Sequence, residues 1–413
     1  MNSKTVIAIV DPYSSGTQLA REVEARGHTC LMVQSQADVP ALYRSSFHAD
    51  DFDSIVRYRG NLEETIAELK ARNVGCVIAG CEIGVELSDH LSERLGLVSN
   101  GTRLTRARRN KLLMGETLRQ QGVRIPAALS SRDLGEVMDW AGMQGGRPVV
   151  LKPLSSSASD GVYLCTNEAE IQTAFEDILG RSDVYGSVNE AVLVQECLTG
   201  TEYAVDTVSY AGRHKVTAFW QYGKLVTRGS LFGNDSLELL AYSQSLNRRL
   251  FPYVASVLDA LEINYGPAHC ELFLSDDGPV IVEIGARLNG GNNPLLSRYC
   301  GGDSQFDTTL DAYLNPARFL EQLDEPYELS KCAMRVFLIP RQIGRWKSIP
   351  EFDLLERLDS FHEIHCSAKP GRPVSRIAGW VVLVHEDRAV IHRDLQQIRR
   401  LELNGFYQIE PDL

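Results

Sequence analysis

The chain has 413 residues, is 44% hydrophobic and 23% charged, and carries a formal net charge of −12. That size and composition allow a large buried core in two to four structural units, and the acidic balance excludes a general polyanion-binding surface. No apolar stretch nears the ~20 residues of a bilayer span, so neither nucleic acid nor membrane is expected as a partner. Nine scattered cysteines, odd in number and without a CxxC pair, exclude a disulfide framework and point to a reducing cytoplasm.

"TVIAIVD" opens as a β-strand, without the apolar segment and cleavage site of a signal peptide. "SGTQLAREVEARG" follows as an amphipathic helix, "TCLMVQ" as a strand, "NLEETIAELKARN" as a helix, "VGCVIAG" as a strand and "GVELSDHLSERLG" as a helix. This alternation predicts a parallel α/β unit over residues 1–100. "DPYSSG", Asp11 to Gly16, joins the first strand to its helix at the end of the sheet where ligands often bind. It is not a GxGxxG fingerprint, and a plain turn competes with a substrate-contacting loop.

The pattern changes after residue 100. The basic run "RLTRARRNK" is expected to begin a helix, continued by "KLLMGETLRQQG" to Gly122. "RPVVLKPLSSSASDGVYLC" reads as strand, loop, strand, and "EAEIQTAFEDILG" as a helix, giving a second unit over 101–190. A third unit, 191–413, starts with the strands of "AVLVQECLTGTEYAVDTVSYAGRHKVTAFW" and the helix "NRRLFPYVASVLDALEI". A hairpin and the loop-helix "GGNNPLLSRYCGGDSQFDTTLDAYL" come next, and an α+β extension runs from about 328.

The hairpin "CELFLSDDGPVIVEIGAR", Cys270 to Arg287, carries charges inside an apolar run. A three-residue turn, Asp276-Asp277-Gly278, would set Ser275 opposite Pro279 and Glu271 opposite Glu283. Alternation then puts His269, Glu271, Phe273, Ile281 and Glu283 on one face, and Cys270, Leu272, Leu274, Val280, Val282 and Ile284 on the apolar other. Opposed carboxylates ~4 Å apart repel by roughly 4 kcal/mol at an effective dielectric of 20. They need a cation, and Mg²⁺ takes one or two carboxylates plus substrate phosphates. The competing reading is a solvent-exposed face with two harmless glutamates. Lys152, at the end of a strand, and the small polar loop Ser155 to Gly161 could wrap phosphate oxygens, although this is not a P-loop. Gln195 to Leu198 could present backbone to an adenine edge, and Glu202 could accept from ribose hydroxyls.

These segments, in this order, resemble the ATP-grasp superfamily over Arg109 to Leu310, and "DPYSSG", "GPAHCEL" and "EIGARLNGG" look most like the L-amino acid ligases. The resemblance implies an α/β and α+β protein with the ATP-grasp fold. It would have an N-terminal parallel α/β (pre-ATP-grasp) domain and a C-terminal α+β subdomain. It implies ATP and Mg²⁺, as two ions, with amino acids as substrates; a homodimer is a further expectation. Lys111 and Lys152 resemble the phosphate lysines, and the lid is the segment with Ser155, Ser156, Ser157, Ser159 and Gly161. Glu196, Cys197 and Leu198 resemble the adenine hinge, Glu202 the ribose contact, and Glu271 and Glu283 the metal ligands. Arg287 resembles the arginine that stabilises the acyl phosphate, and His269 is a candidate base. Glu82, His269, Arg287, Asn289, Gly290 and Gly291 would meet the amino-acid substrate. The chain departs from many relatives at Gly285, where they carry a metal-ligating Asn, and in lid serines that replace glycines.

The activity so implied is ATP-dependent dipeptide formation through an aminoacyl phosphate, with release of ADP and phosphate. Alternatives are another ATP-grasp carboxylate–amine ligase or a nucleotide-binding regulatory protein without chemistry. An NAD-dependent oxidoreductase would leave the hairpin unexplained. "FHEIHC" does not have metalloprotease spacing, and its histidines would face opposite sides of a strand.

Overall fold

The computed structural model describes residues 4–44, 46–156, 160–225, 233–348, 350–375 and 377–411. Ser157 and Ser159 of the expected lid lie outside them. The first unit is a parallel sheet in the order Ser54–Arg57, Thr29–Gln34, Val6–Val10, Val74–Ala79. Its strands are apolar on both faces, as a sheet covered on both sides requires. Ile7, Ile9, Cys30 and Met32 pack on Leu19 and Val23 of the helix Ser15–Ala25. Ala8, Val10, Leu31 and Val33 meet Ile66, Leu69 and Leu91 from the helices Leu62–Ala71 and Val85–Leu95. The first cluster also takes in Leu288, Phe306 and Leu310, so this sheet is packed directly against the third unit.

The second unit is an antiparallel sheet in the order Ala128–Ser131, Val192–Glu196, Val149–Pro153, Tyr163–Cys165. The helices Leu134–Gly142 and Glu168–Ile178 cover it through Val137, Ile171 and Phe175. Because Val192–Glu196 pairs inside this sheet, the division expected at 190 moves to the turn after Glu196. The basic run is also corrected: residues 103–109 form turns, and the helix begins at Lys111 behind an Asn110 cap.

The third unit is an eight-stranded sheet. Its order is Gly278–Gly285, Gly266–Ser275, Thr201–Tyr210, Arg213–Leu225, Gly233–Leu240, Cys332–Leu338, Gly379–His385, Phe361–Cys366. The terminal extension therefore continues this sheet. One face is closed by the helix Gln244–Ala260, whose Leu250, Val254 and Val257 meet Cys270, Leu272 and Ile284. The other face carries the polar groups described below.

Arg108 joins the units. Its side chain is fully buried, with Nη1 2.7 Å from Asp89 Oδ2, and it donates to the carbonyls of Asn100, Gly101, Leu261 and Glu262. Removing one partner of a buried ion pair leaves the other charge stranded. Arg108→Met is expected to lower stability by ~3–5 kcal/mol in urea titration; a change within about 0.5 kcal/mol would contradict this assignment.

Candidate active site

The hairpin reverses through two residues, Asp276 and Asp277, not the three expected, and Ser275 pairs with Gly278. Left unchanged, that register would slip Glu271 past Glu283. A bulge between Leu272 and Glu271 takes up one extra residue on the returning strand. Beyond it Glu271 lies opposite Glu283 and His269 opposite Gly285, as expected. The bulge also reverses three side-chain assignments, and Val280 now pairs with Phe273 instead of sharing the face of Leu272. Ile281 joins Leu272 and Leu274 in the core, while Val282 borders the cleft together with Glu283.

Each glutamate has its own cation. Glu283 Oε2 is 2.7 Å from Lys111 Nζ. Glu271 Oε1 accepts from the Tyr222 hydroxyl at 2.8 Å and from His269 Nε2 at 3.1 Å. His269 Nδ1 lies 2.6 Å from Asp206 Oδ1, and Asp206 Oδ2 accepts from Trp220 Nε1 and Asn289 Nδ2. Burial pulls the His269 pKa down, but the Asp206 charge, helped by Glu271, lifts it to about 9. Burial pushes the Glu271 carboxyl up, and its bonds to His269 and Tyr222 hold it down at about 2. With both nitrogens engaged as donors to carboxylates, His269 is placed to orient Glu271, which removes the support for a base role.

Lys111 also donates to the Ser156 carbonyl at 2.8 Å, tying the start of its helix to the lid loop. Lys152 is buried where its strand ends in the cleft; burial, with Lys111 beside it, brings its pKa down to about 8 against the pull of nearby glutamates. Ser156 Oγ donates to Asp160 Oδ2 at 2.7 Å. Gly161 has φ 64, and a Cβ there would meet Pro153 at 2.9 Å. Ser155 is half-buried beside Ser156. Glu196, Cys197 and Leu198 line the same cleft. Glu202, at its base, pairs with Lys224; burial lifts its carboxyl to about 7 despite that pair.

Glu82 sits between two arginines at the end of the N-terminal sheet. It accepts from Arg109 at 2.7 Å and from Arg287 Nε at 2.9 Å. Burial raises its pKa, and the two guanidiniums more than reverse that shift. Gly285 now has a physical reason: a Cβ there would lie 3.0 Å from both Arg287 Cζ and Glu82 Oε2. "DPYSSG" contributes through Ser14, which takes the Gly291 N–H at 2.7 Å, and Ser15, which donates to the Asn289 carbonyl at 2.5 Å. Asn289 and the two glycines after it thus form a loop clamped between units, and a Cβ at Gly290 would lie 3.8 Å from Ser14 Oγ.

One face of the large sheet therefore collects the predicted Lys111, Lys152, Glu196, Cys197, Leu198, Glu202, Glu271 and Glu283 around one cleft. Glu82, His269 and Arg287 border an adjoining recess that shares Lys111 and Glu283. Asp206, Tyr222, Lys224 and Arg109 were not anticipated. Asp206 had a signal, a lone acid in the buried strand "YAVDTVSY"; Tyr222 and Lys224 had none.

A model of the ATP-grasp domain matches residues 146–293. Dapdiamide A synthase of Enterobacter agglomerans is 32% identical, over 98% of this chain and 98% of its own length. An L-arginine-specific L-amino acid ligase of Bacillus subtilis is 22% identical, over 52% of each chain. The crystal structure of an L-amino acid ligase from Bacillus licheniformis shares the fold, with a TM-score of 0.74 at 16% identity over 100% of both chains.

The folded pKa of His269 exceeds its ordinary 6.5. Its contribution to stability is therefore whole below about pH 6.5 and lost as pH rises through about 9. In metal-free protein, the His269 ring followed by NMR is expected to titrate near 9, and lower in Asp206→Asn. A wild-type midpoint at or below 6.5 would contradict the Asp206–His269–Glu271 chain.

Proposed function

The chain belongs to the ATP-grasp family of ATP-dependent carboxylate–amine ligases, and we propose that it joins two L-amino acids into a dipeptide through an aminoacyl phosphate. The observation that carries this reading is the meeting of two opposed carboxylates, two lysines and an arginine–glutamate cluster around adjoining cavities. Nucleotide binding alone needs no arginine beside the cleft.

The donor set fits Mg²⁺. Glu271 and Glu283 supply hard oxygens directly opposite each other. Among the described residues no group of three or more His, Cys, Asp or Glu could hold a metal ion, so phosphates and water would have to complete the shell. Glu271 and Glu283 would hold the ion, which would supply charge neutralisation at the phosphates.

The chain's own residues divide the remaining work. Backbone at Glu196 to Leu198 meets the adenine edge, and Glu202 the ribose. Lys111 and Lys152 neutralise the phosphates, together with the loop from Ser155 to Gly161. A polyanion beside Lys152 reverses the depression that burial imposes on its pKa. The acyl donor's carboxylate attacks the γ-phosphorus and ADP leaves. The second amino acid's amine then attacks the acyl carbon and phosphate leaves. Arg287, fixed by Glu82, stabilises the acyl phosphate and the tetrahedral state. His269 holds Glu271 in register.

A second reading is another ATP-grasp carboxylate–amine ligase, in which the acyl donor is a carboxylate other than an amino acid. A panel of amino acids and other carboxylates with ATP and Mg²⁺, read by mass spectrometry, separates the two. Glu283→Ala is expected to reduce substrate-dependent ADP release by at least ~100-fold; full activity would refute the metal assignment. Arg287→Met is expected to bind ATP yet form no amide, and normal ligation by this variant would refute the role of Arg287.

A further inference from the structure

Arg335 lies in the strand Cys332–Leu338 and has no part in the site described so far. It is only 4% exposed. Its Nη1 donates to the Gly291 carbonyl at 2.5 Å, and its guanidinium lies 4.4 Å from the centroid of the Trp380 ring. Among the described residues it makes no ion pair, and its Nε is buried without an acceptor. Glu363 is in register with it only through the intervening Val382. Burial accordingly pulls its pKa down to about 10. The buried arginines elsewhere are paired: Arg108 with Asp89, and Arg109 and Arg287 with Glu82. A desolvated guanidinium without a carboxylate is costly.

Its position gives that vacancy a meaning. Tyr222, Leu237 and Arg335 are aligned across three neighbouring strands. Arg335 therefore stands about 10 Å from Tyr222 on the same face, and Tyr222 touches Glu271. The loop after Arg287 passes directly over it, and Gly291 leaves the room: a Cβ there would sit 2.7 Å from Nη1. Two amino acids bring two carboxylates. The acyl donor's is consumed beside Glu283 and Arg287. The amine donor's survives into the product and needs a separate cation.

We propose that Arg335 binds the free carboxylate of the amine-donating substrate through its Nε–Nη2 edge, with Gly291 and Trp380 fixing the guanidinium. This rests on the ligase reading above. A planar fork held from behind by a carbonyl and an aromatic ring suits bidentate carboxylate recognition.

The test compares kcat/KM for an amino acid and for its primary amide as amine donor, with one acyl donor, in wild type, Arg335→Met and Arg335→Lys. The acid-to-amide ratio is independent of the folded fraction, and comparing ratios between variants cancels the different amine pKa values. The ratio is expected to fall about 100-fold in Arg335→Met and about 10-fold in Arg335→Lys. Trapping of the acyl phosphate with hydroxylamine, an amine without a carboxylate, is expected to persist in both. If wild type ligates and the ratio does not respond to Arg335→Met, the Arg335 assignment alone is overturned. If wild type forms neither hydroxamate nor amide with any carboxylate tested, the ligase reading falls and this assignment with it.

Discussion

Glu271 and Glu283 face each other across two hydrogen-bonded strands, and much of the surrounding architecture neutralises that pair. Opposed side chains there sit with Cβ atoms ~5 Å apart, where like charges destabilise a sheet. The chain places a separate cation on each carboxylate. His269, made cationic by Asp206, holds Glu271, and Lys111 holds Glu283. Lys111 also reaches the lid loop, so the group that relieves the repulsion connects two units. A lysine on a flexible stem can move from a carboxylate to an arriving phosphate, whereas the buried Asp206–His269 pair is fixed in place.

The same economy governs the border between the first and third units. Glu82 comes from the end of the parallel sheet and Arg287 from just beyond the hairpin, and their pairing fixes the arginine. Ser14 and Ser15 clamp the loop that follows Arg287, and Phe306 and Leu310 weld the two units beneath it. Precision at the reacting centre thus comes from contacts far apart in sequence, which is what positioning catalysis requires.

Much of this was legible in the sequence, through patterns that are local. Apolar strands alternating with amphipathic helices gave the parallel unit. Two glutamates at hairpin spacing, a strand-end lysine before a small-residue loop, and a Q-E-x-x-x-G-x-E segment gave most of the cleft. What escaped reading depends on three-dimensional compensation. The turn is one residue shorter than expected, and the bulge that restores Glu271 opposite Glu283 leaves no mark in composition; it moved Ile281 into the core and Val282 to the cleft. Gly285 looked like a lost metal ligand until the Arg287–Glu82 pair was seen to occupy its space. His269 looked like a base because sequence could not show Asp206 against its other nitrogen. The strand Val192–Glu196 went to the wrong unit because its partners are distant along the chain.

The central claim is that a metal–triphosphate complex takes over the role that Lys111 and His269 play between the two glutamates. A determined structure with Mn²⁺ and a non-hydrolysable ATP analogue tests it most directly. The account predicts anomalous density between Glu271, Glu283 and the phosphates, with Lys111 turned from Glu283 to a phosphate oxygen. Nucleotide bound away from these carboxylates, or no metal density between them, would contradict it.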